Sequence, residues 1–224
     1  MLDTFQPSSA RARFEAIHST LRERILLLDY PPGSRLSEEA LAREFGTSRT
    51  PVRRVLARLE DEGLLRSVQS VGTLVTDVDL DMLAQTYRMR MELAELIGRV
   101  DPVPASEETL DRMRGLRTDL AALRGTHDVR QFARINNALF RAILSLTENE
   151  PLREISERLF VRTTRTWIKS IDALHFDSEV AIFERELGDI VAAVEIGDLE
   201  AVGHIRRAHI SMSFQRLKRN QNRP

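Results

Sequence analysis

The chain has 224 residues, of which 42% are hydrophobic and 30% are charged, and this composition is that of a folded globular protein. The absence of cysteine excludes disulfide bonds, thiolate metal sites and a cysteine nucleophile. The formal net charge is −1, and because the start has no apolar leader and no apolar run approaches the ~18 residues of a membrane span, we expect a cytoplasmic protein with no membrane partner.

The first third of the chain predicts three helices followed by a hairpin. Apolar residues at steps of three and four predict a helix over Phe14–Asp29, and Ser37 is a suitable N-cap for a second helix over Glu38–Phe45. A third helix follows and ends at Gly63, and two short β-branched runs after it predict a two-stranded hairpin. Three helices and a hairpin form the order of a winged helix-turn-helix, which we expect over residues 10–77.

The predicted third helix has one apolar and one positively charged face. Its apolar side holds Val52, Val55, Leu56 and Leu59, and its arginines are Arg49, Arg53, Arg54 and Arg58. In a winged helix-turn-helix the first residues of this helix contact base edges, and here they are Arg49, Thr50 and Arg53. Thr47 and Ser48 precede the helix and can donate hydrogen bonds to a phosphate. The alternative is an arginine-rich helix that is only solvated.

The rest of the chain predicts helices joined by short connections. Helical periodicity covers about 79–100, 106–124, 128–147, 151–173, 178–196 and 198–217, with candidate N-caps at Asp79, Ser106, Asp128, Asp177 and Asp198. Six helices without a strand pattern are typical of an antiparallel bundle, which we expect over residues 79–218. The predicted fold class is therefore mainly α, with an N-terminal winged helix-turn-helix and a C-terminal antiparallel six-helix bundle.

The stretch from residue 32 to residue 65, PGSRLSEEALAREFGTSRTPVRRVLARLEDEGLL, closely resembles the GntR family of bacterial transcription regulators. The helical remainder resembles the FCD effector domain of the FadR branch, and its six helices are similar to the VanR type. The resemblance implies a homodimer that binds a pseudo-palindromic operator in double-stranded DNA, most often as a repressor. It also implies that a small effector bound to the second domain controls the affinity for DNA.

The resemblance assigns DNA contacts residue by residue. It implies contacts from Arg49, Thr50 and Arg53, and a wing at Gly72 that reaches towards the minor groove. Arg54 stands where the family usually has glutamate, so it adds positive charge to the predicted DNA-binding face. The wing tip, VQSVG, is poorer in arginine and asparagine than is common in the family.

The resemblance further implies a divalent metal held by one aspartate and three histidines in the effector domain. At the matching positions this chain has Asn136, Phe140, Leu187 and His209, so only one of the four ligands is left. A single imidazole does not make the multi-ligand site that a first-row metal needs. We therefore expect no metal and no other cofactor.

Without a metal, another group must supply the positive charge that meets an acidic effector. Arg90, Asn136 and His209 interrupt the apolar faces of their predicted helices, and Arg90 is the candidate cation. Phe140 and Leu187 place apolar bulk at two of the ligand positions. We expect these five residues to bind a small organic acid. The alternative is that the three polar residues belong only to a packed core.

Two other functions are open at this point. The C-terminal domain could serve only for dimerisation and bind no ligand. An enzyme built on the helical domain is a remote alternative, since the sequence has no glycine-rich phosphate loop, no HExxH pair, no cysteine and no complete metal set. The sequence favours a DNA-binding regulator that responds to an effector and is not an enzyme.

Overall fold

The computed structural model describes residues 9–77, 80–171 and 176–221, which form two compact units. One unit holds the described residues up to 77, and the other holds those from 80 onwards. Helices dominate and a small sheet lies in the first unit, so the predicted mainly α class is confirmed. Within the described ranges, every helix is too short or too polar to cross a membrane.

Residues 9–77 form three helices and three short strands. Their bounds are α1 Ala10–Leu26, β1 Arg35–Leu36, α2 Glu38–Glu44, α3 Arg49–Asp61, β2 Leu65–Val68 and β3 Gly72–Val75. The strands pair antiparallel in the order β1-β3-β2, so the predicted hairpin gains a third strand from the segment before α2. This arrangement is a winged helix-turn-helix.

The first helix lies earlier in the chain than its apolar spacing predicts. It begins four residues before Phe14, because the Ser9 side chain caps it and accepts a hydrogen bond from the Ala12 N–H at 3.1 Å. It ends three residues before Asp29, because Leu28 adopts a left-handed φ of 63°. Neither change moves its apolar face away from the core.

The core of the first unit joins α1, α3 and the sheet. The predicted apolar face of α3 is buried, which confirms it: Val52, Val55, Leu56 and Leu59. The first helix contributes the apolar residues Ile17, Leu21 and Ile25. Because one face of α3 is packed in this way, its opposite face is open to solvent and to a ligand.

Within the described part of the second unit, six helices follow one another. Their bounds are α4 Leu80–Leu96, α5 Glu107–Ala121, α6 Val129–Leu144, α7 Glu150–Ser170, α8 Phe176–Glu195 and α9 Leu199–Gln221. Helices α4, α7, α8 and α9 pack against one another and carry most of the polar residues discussed below.

The helix starts of the second unit test the predicted N-caps. Three of them accept a hydrogen bond from the N–H three residues further on: Ser106, Asp128 and Asp198. Asp177 is not a cap, because α8 begins one residue before it. The Asp177 carboxylate instead accepts a hydrogen bond from the Gly125 N–H at 3.0 Å. Asp79 lies outside the described residues.

Two glycines bring α4 and α9 into backbone contact. A Cβ atom on Gly98, just after α4, would lie 2.0 Å from the Leu199 carbonyl oxygen at the start of α9. A Cβ atom on Gly203 of α9 would lie 2.9 Å from the Ala94 carbonyl oxygen of α4. Only glycine permits such close approaches. As a result, Arg90 on α4 lies near the inward residues of α9.

Candidate DNA-binding face and ligand cavity

The start of α3 presents polar side chains to solvent. Arg49 is its first residue, and Ser48 occupies the N-cap position without a side-chain capping bond to residues 9–77. Thr50 follows and is exposed. The Thr47 N–H already donates to the Ala42 carbonyl at 2.9 Å, so its hydroxyl is the group that remains for a phosphate.

A glutamate at the start of α2 binds both arginines of this surface. Arg53 donates two hydrogen bonds to the Glu38 carboxylate, from Nε to Oε1 and from Nη2 to Oε2, each at 3.0 Å. Arg49 Nη2 donates to Oε2 at 3.4 Å. The hydrogen bond from Arg53 holds the pKa of Glu38 below its usual value. The side chains of Arg49 and Arg53 remain 63% and 67% exposed, so Glu38 orients them without burying them.

The other two arginines of α3 have different partners. The Arg54 guanidinium carbon lies 5.7 Å from the centre of the Phe14 ring, which is a cation–π contact with α1. Arg58 Nε donates to Glu62 Oε1 at 3.4 Å. The arginines of α3 therefore form two groups. Arg49 and Arg53 bind Glu38, whereas Arg54 contacts α1 and Arg58 binds Glu62 just after α3.

Glu62 joins α1 to the end of α3. Its Oε1 lies 2.7 Å from His18 Nε2, and its Oε2 accepts from Arg22 Nε at 3.2 Å. Burial alone would raise the pKa of Glu62, but the contact with His18, the charge of Arg22 and the hydrogen bond from Arg58 hold the pKa below its usual value. The carboxylate is therefore ionised at neutral pH.

The wing carries arginines on the outward face of its sheet. Arg35 of β1 and Arg66 of β2 both lie opposite Leu74 of β3, so their side chains leave the sheet on the same side. The Arg35 side chain reaches Gly72, where a Cβ atom would come within 3.2 Å of its Nε. Gly72 has a φ of +113°, which favours glycine. Arg35 thus brings to the wing a positive charge that its tip sequence lacks.

A cavity lies inside the second unit, between α4, α6, α7, α8 and α9. Its free volume is about 40 Å³, the space of about three water molecules. Arg90, Asn136 and His209 line it, so the structure brings three of the predicted effector residues together. The cavity is therefore the candidate ligand site.

Arg90 is buried and has no carboxylate partner among the described residues. Its Nη1 donates to Thr163 Oγ1 at 2.6 Å, and its guanidinium carbon lies 5.5 and 5.2 Å from the ring centres of Tyr87 and Phe160. Burial lowers the pKa of Arg90 to about 10, so the side chain is still charged at neutral pH. A buried cation held by a hydroxyl and two ring faces is suited to binding an anion.

The other arginines of the cavity are paired with glutamates. Arg206 donates to Glu186, and both side chains are buried. Arg216 makes two hydrogen bonds to Glu179, at 2.6 and 2.9 Å. Three arginines face two glutamates among the lining residues, so the arginine charges exceed the carboxylate charges by one.

The remaining two predicted effector residues lie outside this cavity. Phe140 stacks on Phe160 with ring centroids 3.8 Å apart, and it lines a second, smaller cavity that also touches Arg90. Leu187 is fully buried and lines neither of these two cavities. Leu187 therefore belongs to the buried face of α8 that packs in the core, and not to the wall of the site.

The positions at which the resemblance implies metal ligands do not fit a metal. Phe140 and Leu187 have no ligand atom, and His209 Nδ1 faces the Glu186 carboxylate at 3.5 Å, which Arg206 already binds. Across the described ranges, no group of three or more His, Cys, Asp or Glu side chains has the arrangement of a metal site. This donor set therefore does not support a metal.

Sequence reasoning missed several polar residues of the cavity. Glu179 and Glu186 are seven residues apart, so they share one face of α8 and interrupt its apolar side. That spacing could have identified the two glutamates as candidate residues of a buried polar site. Trp167 of α7 also lines the cavity, but its sequence context is that of any buried aromatic residue.

Known proteins are similar to this chain along most of its length. An HTH-type transcriptional regulator in an unstable DNA locus of Streptomyces ambofaciens is 29% identical over 223 residues, which are 95% of this chain and 88% of the relative. The "Probable D-xylose utilization operon transcriptional repressor" of Paenarthrobacter nicotinovorans is 26% identical over 181 residues, which are 81% of this chain and 78% of that relative. The solved structure of E. coli McbR/YncC shares the fold, with a TM-score of 0.80 at 24% identity, and the match covers 94% of this chain and 99% of that one.

Family comparison covers both units. Residues 14–75 match the bacterial regulatory proteins of the gntR family, and residues 85–212 match the FCD domain. The family and these relatives are transcriptional regulators and not enzymes. The chain therefore belongs to the GntR family, in the FadR branch whose regulators carry an FCD domain.

Proposed function

We propose that this regulator is a repressor that binds a pseudo-palindromic operator as a homodimer and changes its DNA affinity when a small organic acid binds. The observation that carries the proposal is the exposed pair Arg49 and Arg53 in the first turns of α3, held by Glu38. Repression is supported by the name of the relative from Paenarthrobacter nicotinovorans. Binding to a chromosomal operator would take place in the cytoplasm.

Glu38 prepares Arg53 for base recognition. The two hydrogen bonds to the carboxylate use Nε and one hydrogen of Nη2, which leaves Nη1 and the other Nη2 hydrogen to donate to O6 and N7 of guanine. An arginine that is already extended loses less side-chain freedom when it binds DNA than one that moves freely. Glu38 also balances part of the positive charge of this face when no DNA is bound.

The acid is supported by Arg90. A buried guanidinium without a carboxylate partner among the described residues gains most from an anionic ligand. For such a ligand to control DNA binding, it must have unequal affinity for the DNA-bound and the DNA-free arrangement of the dimer. A screen of organic acids by thermal shift tests this step, since a ligand that binds the folded state raises the melting temperature. If no acid does so, the domain serves for dimerisation.

The DNA part of the proposal is tested by selecting binding sites from random double-stranded DNA and titrating the best site. Arg53→Ala should weaken specific binding by about 5–150-fold, which is the value of one bidentate base contact. Arg58→Ala is the matched control, because Arg58 lies on the same helix but pairs with Glu62. Both variants should melt like the wild type, because both side chains are exposed.

Three results would contradict this assignment. Equal loss of binding in Arg53→Ala and Arg58→Ala would show that general charge attracts the DNA, and no loss in either would show that α3 is not the recognition helix. A single chain per operator in sedimentation of the complex would exclude the homodimer. Binding should also weaken steeply with salt, because neutralised phosphates release counterions.

A further inference from the structure

Two neighbouring cavities of the second unit share part of their walls. The larger one, described above, is polar, and the smaller one has a free volume of about 20 Å³. Arg90, Arg206 and Ile210 line both. The other walls of the smaller cavity are mainly apolar: Leu93, Ala94, Ile97, Phe140 and Ile143. A ligand bound at Arg90 can therefore place a charged end in the larger cavity and an apolar end in the smaller one.

Each cavity contains a buried polar group without a hydrogen-bond partner among the described residues. Trp167, a residue that is 9% exposed, lines the larger cavity, and its indole Nε1 is one of these groups. In the smaller cavity the group is the Ser156 hydroxyl, in a residue that is 6% exposed. Buried polar groups are nearly always paired, so the fixed N–H of Trp167 indicates a missing acceptor, whereas the Ser156 hydroxyl can rotate towards a carbonyl of its own helix.

Trp167 and Arg90 are suited to binding the same group. Thr163, which accepts the hydrogen bond from Arg90, lies one helical turn before Trp167 on the same face of α7. The indole N–H can only donate, and so can the guanidinium. Both therefore need an acceptor, and a carboxylate has two oxygens that accept from two donors at once.

The size and the charge of the site limit the ligand further. Together the two cavities have about 60 Å³ of free volume, well below the ~150 Å³ of a cavity that accommodates benzene, so only a short ligand fits and the walls must move apart slightly to admit it. One positive charge is in excess among the lining residues, so a single negative charge neutralises the site. A dianion would leave one of its charges buried without a partner.

We infer that the ligand is a short aliphatic monocarboxylic acid, whose carboxylate binds Arg90 and the Trp167 indole N–H and whose apolar end lies in the smaller cavity beside Phe140. This inference rests on the proposed function, in which the effector is an acid. It specifies that the acid is short and carries a single negative charge, and it adds Trp167 to the residues that bind it. Trp167 is a binding residue in this scheme because its N–H contacts the carboxylate.

Calorimetry with butyrate as the probe tests the inference on the full-length protein. Butyrate should bind, whereas its neutral analogue butyramide and the dianion succinate should bind at least tenfold more weakly. Arg90→Met should abolish butyrate binding, and Trp167→Phe, which keeps a ring but removes the N–H, should weaken it by about tenfold or more. Arg88→Met is the matched control, since Arg88 is exposed on the same helix, and it should bind butyrate like the wild type.

The wild-type protein gives a second measurement that needs no variant. Trp167 is the single tryptophan of the chain, so its fluorescence reports directly on this cavity. Butyrate should change the emission with the same affinity that calorimetry gives. Binding of butyrate without any change in emission, or with the wild-type affinity in Trp167→Phe, would overturn the assignment of Trp167.

The outcomes separate this inference from the proposed function. Tighter binding of succinate or of larger acids, still dependent on Arg90, would refute the short monocarboxylate while an acid effector stands. Failure of every acid to bind would refute the effector response itself. Neither result would alter the comparison of Arg53→Ala with Arg58→Ala, because both substitutions lie in the first unit and the titrations contain no added acid.

Discussion

Replacing Arg90 with methionine is expected to leave the ligand-free protein about as stable as before, although the residue is a buried cation. Burial lowers the pKa of Arg90 to about 10, which corresponds to about 3 kcal/mol by which the charge destabilises the folded state. The hydrogen bond to Thr163 offsets about 1.5–3 kcal/mol of this, and the ring contacts with Tyr87 and Phe160 offset about 1 kcal/mol more. These contributions nearly cancel, so the melting temperature should change by less than about 4 °C.

Arg216→Met is the matched comparison, because it removes another arginine of the same cavity that does have a carboxylate partner. Its loss would leave the buried carboxylate of Glu179 without the two hydrogen bonds that it accepts now. Breaking a buried pair in this way destabilises a protein by about 3–5 kcal/mol. At about 2–4 °C for each kcal/mol, the melting temperature should fall by roughly 6–20 °C.

Thermal unfolding of the wild type and the two variants, followed by circular dichroism without added acids, makes the comparison. Because folding lowers the pKa of Arg90, the cost of its charge is fully present below about pH 10 and fades as the pH rises above that value. The order of the three proteins should therefore be the same at neutral and mildly alkaline pH. A loss in Arg90→Met as large as that in Arg216→Met would show that Arg90 is a structural residue with an anionic partner, and would refute the excess of charge in the cavity.

Three further predictions concern packing, pH and metal. Gly98→Ala should destabilise the protein by about 1–3 kcal/mol or more in denaturant unfolding, because its Cβ would overlap the Leu199 carbonyl oxygen, whereas Gly115→Ala on α5, with open space around it, should stabilise by about 0.5–1 kcal/mol. Glu62→Gln should destabilise the protein at neutral pH, because the contacts that lower the pKa of Glu62 stabilise its ionised form. The difference from the wild type should disappear as the pH falls through that lowered pKa, and a difference that persists in acid would contradict the ion-pair argument. Chelator should leave the melting temperature unchanged, and about one metal ion per chain in elemental analysis would overturn our interpretation of the ligand positions.

The parts of the structure that follow local chemistry could be predicted from the sequence. The apolar stripe of α3 fixes which face is buried, and the caps at Ser106 and Asp128 mark two helix starts because a short side chain can accept from its own helix. Asp177 has the same local signal, but a distant N–H at Gly125 takes its carboxylate. Local patterns cannot distinguish these two uses of an aspartate.

The parts that depend on contacts between distant segments could not be predicted. Nothing in the sequence around Glu38 shows that the start of α2 meets the start of α3, so its hold on Arg53 was missed. Strand β1 has two residues, too few for a periodic signal, and therefore Arg35 was not assigned to the wing. Leu187 occupies a position at which the resemblance implies a site residue, but its side chain is packed in the core and lines neither cavity.

The backbone contact between α4 and α9 restricts how the second unit can move. Helices that meet through side chains can slide as those side chains change rotamer, but at Gly98 and Gly203 there is no side chain to rearrange. The two helices should therefore move as one rigid body that carries Arg90 and Arg206 together. The cavity can then widen or narrow when α6, α7 or α8 shifts against that body, so a ligand that joins Arg90 to Trp167 would clamp α7 to it.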